Sequence, residues 1–164
     1  MTRYTLRAWG QPVARLAALA ALAWLALAAG GAWGQARFSV SADGAEVTDA
    51  RTGLVWRRCS AGQVFDGSAC TGTAATYTHE QALTYAKGQT GWRLPNVKEL
   101  SSIVDSERAH PSIDPVAFPA TPAWYYWSSS PLAGFPGYAW VVYFDYGVVN
   151  GSSRNYTYRV RLVR

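Results

Sequence analysis

The stretch Trp92-Arg93-Leu94-Pro95-Asn96-Val97-Lys98-Glu99-Leu100 decides the fold class, because it holds the end of an extended segment and the start of a helix. Pro95 biases Leu94 away from helical backbone, so Trp92-Arg93-Leu94 reads as a brief extended piece. Asn96 followed three residues later by Glu99 is a capping signal, and Leu100, Ile103 and Val104 then supply the buried stripe of a short helix. The same grammar occurs upstream. Thr78 with Gln81 resembles a capping box, Ala82, Leu83 and Ala86 recur at helical spacing, and Gly88 stops the helix. Two capped helices set among strand-like segments predict an α+β fold.

Upstream, Val47-Thr48-Asp49 and Leu54-Val55-Trp56 flank a turn-rich run and predict a β-hairpin with Leu54 and Trp56 on one face. Arg57 to Tyr77 has little periodicity and reads as a loop with a turn at Asp66-Gly67. Pro111, Pro115, Pro119 and Pro122 exclude helix and central strand there, leaving an ordered loop packed through Ile113, Val116 and Phe118. Tyr126 to Ser130, Ala139 to Tyr146 and Tyr158 to Val163 read as strands, so the sheet is expected mostly at the C-terminal end. Alternation turns Trp140, Val142 and Phe144 towards a core, and Val141, Tyr143 and Asp145 towards the surface.

At the other end of the chain, Arg3, Arg7 and Arg15 precede an uncharged Ala- and Leu-rich run from Leu16 to Ala29, the pattern of a secretory signal. Cleavage after Gly34 or Ala36 makes residues 1–36 a signal peptide and residues 37–164 one domain, with a retained single-span anchor as the alternative. The expected destination is the periplasm or the cell surface, with membrane contact only through the targeting segment. Without the three leader arginines the net charge falls from +5 to +2, so basicity is no argument for a nucleic-acid partner. Arg154, Arg159, Arg161 and Arg164 form one loose basic cluster, expected at strand edges facing water, with a patch for sulfated or acidic polymers as the sharper alternative. Nothing in the sequence fixes an oligomeric state.

Cys59 and Cys70 are the only cysteines, and in an exported chain this spacing predicts one structural disulfide. Closing so short a loop stabilises by about 2.5 to 3 kcal/mol on the chain-entropy argument.

From Gly137 to Tyr158 the chain is rich in Tyr, Ser, Asn, Gly and Asp, the residue types of antibody-like contact surfaces. Tyr combines a large apolar area with a polar hydroxyl and loses little side-chain entropy on ordering. The candidate ligand-binding residues are Tyr143, Asp145, Tyr146, Asn150 and Ser152, continuing through Arg154, Asn155, Tyr156 and Tyr158. Tyr125, Tyr126 and Tyr138 are candidates to extend the platform.

The ordered series Val47-Thr48-Asp49, Thr52-Gly53-Leu54-Val55-Trp56, the Cys59 to Cys70 loop, Trp92 to Leu100, Trp127-Ser128-Ser129-Ser130, Ala139-Trp140 and Val160-Arg161-Leu162-Val163-Arg164 resembles the Legionella collagen-like protein C-terminal domain family. The resemblance implies a C-type-lectin-like fold: two helices beside a twisted, mostly antiparallel sheet, with the chain ends close together. It also brings in the related formylglycine-generating enzymes and the targets of diversity-generating retroelements. In the latter pattern Trp140, Val142, Phe144, Gly147, Val160 and Arg161 are scaffold positions among varied contact residues.

An enzyme needs a nucleophile with a base, paired carboxylates in a cleft or an open metal site. Here His79 and His110 are expected to be solvated, and Ser128, Ser129 and Ser130 lack a glycine elbow or a lysine at motif spacing. Cys59 and Cys70 lie too early to match the cysteine pair of formylglycine-generating enzymes, and the lectin calcium motifs are absent; Asp105, Glu107 and Asp114 are the one candidate ion site. The expectation is therefore a non-catalytic domain without a cofactor that binds a glycan or a cell-surface protein. The rivals are an enzyme or enzyme relic of the formylglycine-generating type and a structural subunit of an envelope assembly.

Overall fold

A computed structural model describes residues 36–164. The leader, its cleavage points and the anchor alternative lie outside the described residues, apart from Ala36. The described chain is α+β, with two helices and antiparallel sheets. Strands β1 (Phe38–Val40), β2 (Glu46–Asp49) and β3 (Val55–Arg57) form the first sheet. A two-stranded ribbon, β4 (Val64–Phe65) and β5 (Cys70–Thr71), follows, then helices α1 (His79–Lys87) and α2 (Val97–Ser102). Strands β6 (Tyr125–Pro131), β7 (Tyr138–Tyr143) and β8 (Val148–Ser153) form the last sheet, in that spatial order.

Local signals account for the element starts. Thr78 and Gln81 form a reciprocal capping box on α1, and Asn96 and Glu99 form another on α2. Arg93 sets its fork on Glu99 at 2.7 Å through each nitrogen, so the extended piece before Pro95 holds the residue that caps the helix after it. That hydrogen bond from Arg93 is the main force pulling the Glu99 carboxyl below its ordinary range. Cys59 and Cys70 are joined in a disulfide, and Asp66 turns the ribbon by accepting from the Ser68 and Ala69 N–H groups.

The sheet assignments need correction. Strand β1, which pairs with β2, and the β4–β5 ribbon carry no strong period-two pattern and were not expected. Strand β7 stops at Tyr143 because a four-residue turn follows, with Gly147 at φ 71°. Chain then returns as β8, where turns were expected. Tyr158 to Val163 forms no strand of the sheet; it touches Tyr77, Tyr126, Trp56 and Arg93 through isolated bridges. Such a segment looks like a strand locally, but its partners come from four places, so no continuous ladder forms.

Two apolar clusters occupy opposite faces of the last sheet. Tyr126, Val142 and Phe144 pack with Trp56, Leu100, Ile103, Ile113 and Phe118. On the other face, Trp127, Val141 and Ala139 meet Ala82 and Ala86 of α1, together with Trp92 and Leu94. Val141, expected at the surface, is therefore fully buried, and Trp140, expected in the core, is only half buried. Leu83 and Val116 also differ from expectation: Leu83 is exposed on α1, and Val116 is 74% exposed, while Ile113, Ala117 and Phe118 anchor the proline loop in the core.

Candidate functional site

The second face of the sheet is only partly covered. Helix α1 has nine residues and spans ~14 Å, while the seven residues of β6 span ~23 Å. Under the helix lie Trp127, Val141 and Ala139; beyond it Tyr125 and Tyr143 emerge as a directly opposed cross-strand pair. Their rings stack at 4.2 Å with planes 15° apart. Cross-strand aromatic pairs of this kind add to the stability of the sheet.

This pair is the centre of an aromatic ridge. Tyr146 lies 5.9 Å from Tyr143 and His110 4.8 Å from Tyr146, centroid to centroid. In the other direction Tyr158 lies 5.0 Å from Tyr125, and Tyr156 6.2 Å from Tyr158. Trp124 flanks the pair, 5.7 Å from Tyr125 and 6.0 Å from Tyr143. The tips are open: Tyr146 is 60% and Tyr156 62% exposed.

A polar network trims one end. The Tyr143 hydroxyl donates to Asp145 Oδ2 at 2.9 Å, and His110 Nδ1 meets Asp145 Oδ1 at 2.6 Å. An ionised carboxylate only accepts, so His110 carries its proton on Nδ1, which leaves Nε2 as the ring's acceptor on a side chain that is 59% exposed. The bonds from His110 and Tyr143 hold the Asp145 carboxyl below its ordinary range, and Asp145 in turn pushes the Tyr143 phenol up to about 12. Backbone contacts fix the arrangement: the N–H of His110 donates to Asp145 O at 2.9 Å, and that of Ser112 to Phe144 O at 2.6 Å. The Ser112 hydroxyl also reaches this network, donating to the Asp145 backbone carbonyl at 3.2 Å rather than to the imidazole.

The sequence-derived candidates separate into groups. Tyr143, Asp145, Tyr146, Tyr156 and Tyr158 belong to the ridge. Ser152 is buried, its hydroxyl 3.0 Å from the Tyr158 hydroxyl, and it faces inward as a latch on the chain segment leaving β8. Arg154 and Asn155 line a separate cleft of about 660 Å³ with His79, Glu80 and Tyr138. Asn150 is half buried within β8. Of the three extra tyrosines, Tyr125 joins the ridge, Tyr126 is core and Tyr138 belongs to the cleft.

Trp124 and His110 were missed. Trp124 stands at the head of the aromatic run Trp124 to Trp127, which signals a contact surface; no local pattern connects His110 with a carboxylate 35 positions away.

Three charge expectations change as well. His79 is not solvated but 2% exposed, with Nε2 3.0 Å from Ser128 O and its ring edge-on to Trp127; burial lowers its pKa. Arg161 faces no water at all: its guanidinium is fully buried, bonded to the carbonyls of Arg57 and Arg58 and to the hydroxyls of Ser60 and Thr121. Asp105, Glu107 and Asp114 share one recess with Arg37 and Arg51. Asp105 accepts from Arg108 and Asp114 from the N–H groups of Val116 and Ala117, and no group of three or more metal-ligating side chains forms among the described residues.

No curated protein matches the chain. A family model described as the Lcl C-terminal domain matches residues 45–164.

Proposed function

The chain belongs to the Lcl C-terminal domain family, and from that premise we propose an exported, non-catalytic binding module that recognises a glycan or a surface protein through its aromatic ridge. The observation that carries the reading is the continuous series of rings from His110 to Tyr156, stacked at its centre and open at both tips. Flat aromatic faces stack on the apolar faces of sugar rings, and Nε2 of the exposed His110 ring offers a hydrogen-bond acceptor for a hydroxyl beside them. A fixed platform also lowers the ordering cost of binding.

The C-type-lectin-like reading of the fold is part of the same proposal. It is supported by the C-terminal residues bridging to β3 of the first sheet: Val55 and Arg164 exchange backbone hydrogen bonds at 3.0 and 2.9 Å. The non-catalytic reading is supported by the disulfide, which leaves no free thiol among the described residues for formylglycine-type chemistry.

The test is a screen of immobilised glycans and envelope proteins against the purified protein and its Tyr146→Ala/Tyr156→Ala variant. We expect the variant to lose binding by at least about tenfold with its thermal midpoint unchanged. Undiminished binding by the folded variant overturns the assignment of the ridge. A hit confined to proteins selects that ligand class over glycans.

A further inference from the structure

Glu46 stands directly opposite Arg57 in the β2–β3 register, the position where a cross-strand ion pair normally forms. Its carboxylate instead binds Arg164 at 2.6 Å. Arg57 stacks on Trp92 at 4.3 Å, while Arg164 lies 4.8 Å from the same ring. Among the described residues, the Arg57 guanidinium donates to no acceptor and pairs with no carboxylate. Asp43 feels its charge, but holds the Ser41 hydroxyl and the Ala45 N–H. The neighbouring Arg58 differs: its fork is committed to the carbonyls of Gly44, Val116 and Ala117.

Arg57 is one of the residues lining a recess of about 270 Å³ between the disulfide ribbon and α1. Phe65 and Leu162 supply apolar wall, and Gln63, Gln89 and Tyr85 supply polar groups. Phe65 is held firmly, its ring seated on Gly44, where a Cβ would lie 2.1 Å from it, and covered by Arg58 at 4.6 Å. A guanidinium stacked on an aromatic ring and free of a carboxylate, on a residue lining a small part-apolar recess, is suited to receive a carboxylate bidentately.

We propose that this recess is a second binding site, distinct from the aromatic ridge, for a small carboxylate, with Arg57 holding the anion and Phe65 and Leu162 contacting the rest of the molecule. The volume suits a single acidic sugar or one amino-acid-sized carboxylate rather than a polymer.

The experiment is calorimetric titration of the purified protein with glucuronate, N-acetylneuraminate and hippurate, alongside glucose, hippuric acid amide and inorganic sulfate. Saturable binding of at least one carboxylate is expected, weakened at least about tenfold in its neutral counterpart and in Arg57→Gln. Binding of the sugar acids alone identifies a glycan-derived ligand; binding of hippurate alone identifies an amino-acid-derived one. The wild-type comparison of hippurate with its amide stands even if the variant fails to fold. Three results overturn the proposal: no saturable carboxylate binding, equal binding of sulfate, or undiminished binding by folded Arg57→Gln.

Discussion

The Arg161 guanidinium donates to the Thr121 hydroxyl at 2.8 Å, joining the C-terminal segment to the end of the proline loop across 40 residues of chain. The same fork takes the carbonyls of Arg57 and Arg58 beside the disulfide, so one buried side chain ties three segments together. It has no carboxylate partner among the described residues; Phe118 lies under it at 4.8 Å. Burial lowers its pKa, against the pull of neighbouring groups.

Arg161→Met is expected to cost about 3 kcal/mol, because hydrogen bonds from a charged donor are lost and buried acceptors are left unpaired. Arg161→Lys recovers only part, since one ammonium cannot reach all four partners. Urea unfolding measures both. A loss below about 1 kcal/mol for the methionine variant would show that the guanidinium adds nothing net.

Acid should destabilise the fold through His79. Burial depresses its folded-state pKa below the ordinary value of 6.5, so the unfolded chain binds the proton more readily. The contribution is full above pH 6.5 and falls as pH drops below that value towards the depressed folded-state pKa. His79→Gln should flatten the slope of stability against pH across this window. An unchanged slope would transfer the effect to other groups.

Ultraviolet titration should find the Tyr143 phenol ionising near pH 12. Asp145→Asn removes the carboxylate that disfavours the phenolate, and the value should return towards 10.0. A Tyr143 titration that ignores this substitution contradicts the hydrogen bond at the end of the ridge.

Ser152→Ala and Tyr158→Phe should each cost about 1 kcal/mol, as both break the same buried hydroxyl contact. Because the interaction is shared, the double variant should lose less than the sum. Strict additivity in thermal melts would mean that the two hydroxyls act through different partners.

The ridge shows how far local reading reaches. A tyrosine-rich segment from Tyr143 to Tyr158 announces a contact surface by composition alone, and five of its members do lie on one connected ridge. The same composition places Ser152 on that surface, whereas the chain reversal after β8 brings Tyr158 over it. Which hydroxyl faces water is set by a neighbour six positions on, returning from another edge of the sheet.

By itself, the sequence determined both helix starts, the Val47 to Trp56 hairpin and the disulfide, because each depends on residues close along the chain: a cap and its partner lie three positions apart. Tertiary structure alone decided the rest. Val141 is buried because α1 covers part of a face that alternation assigns to solvent, and Arg57 is left without a carboxylate because Arg164, 118 positions from Glu46, takes it. Periodicity says which side chains share a face; only packing between distant segments says which faces, and which charges, are already occupied.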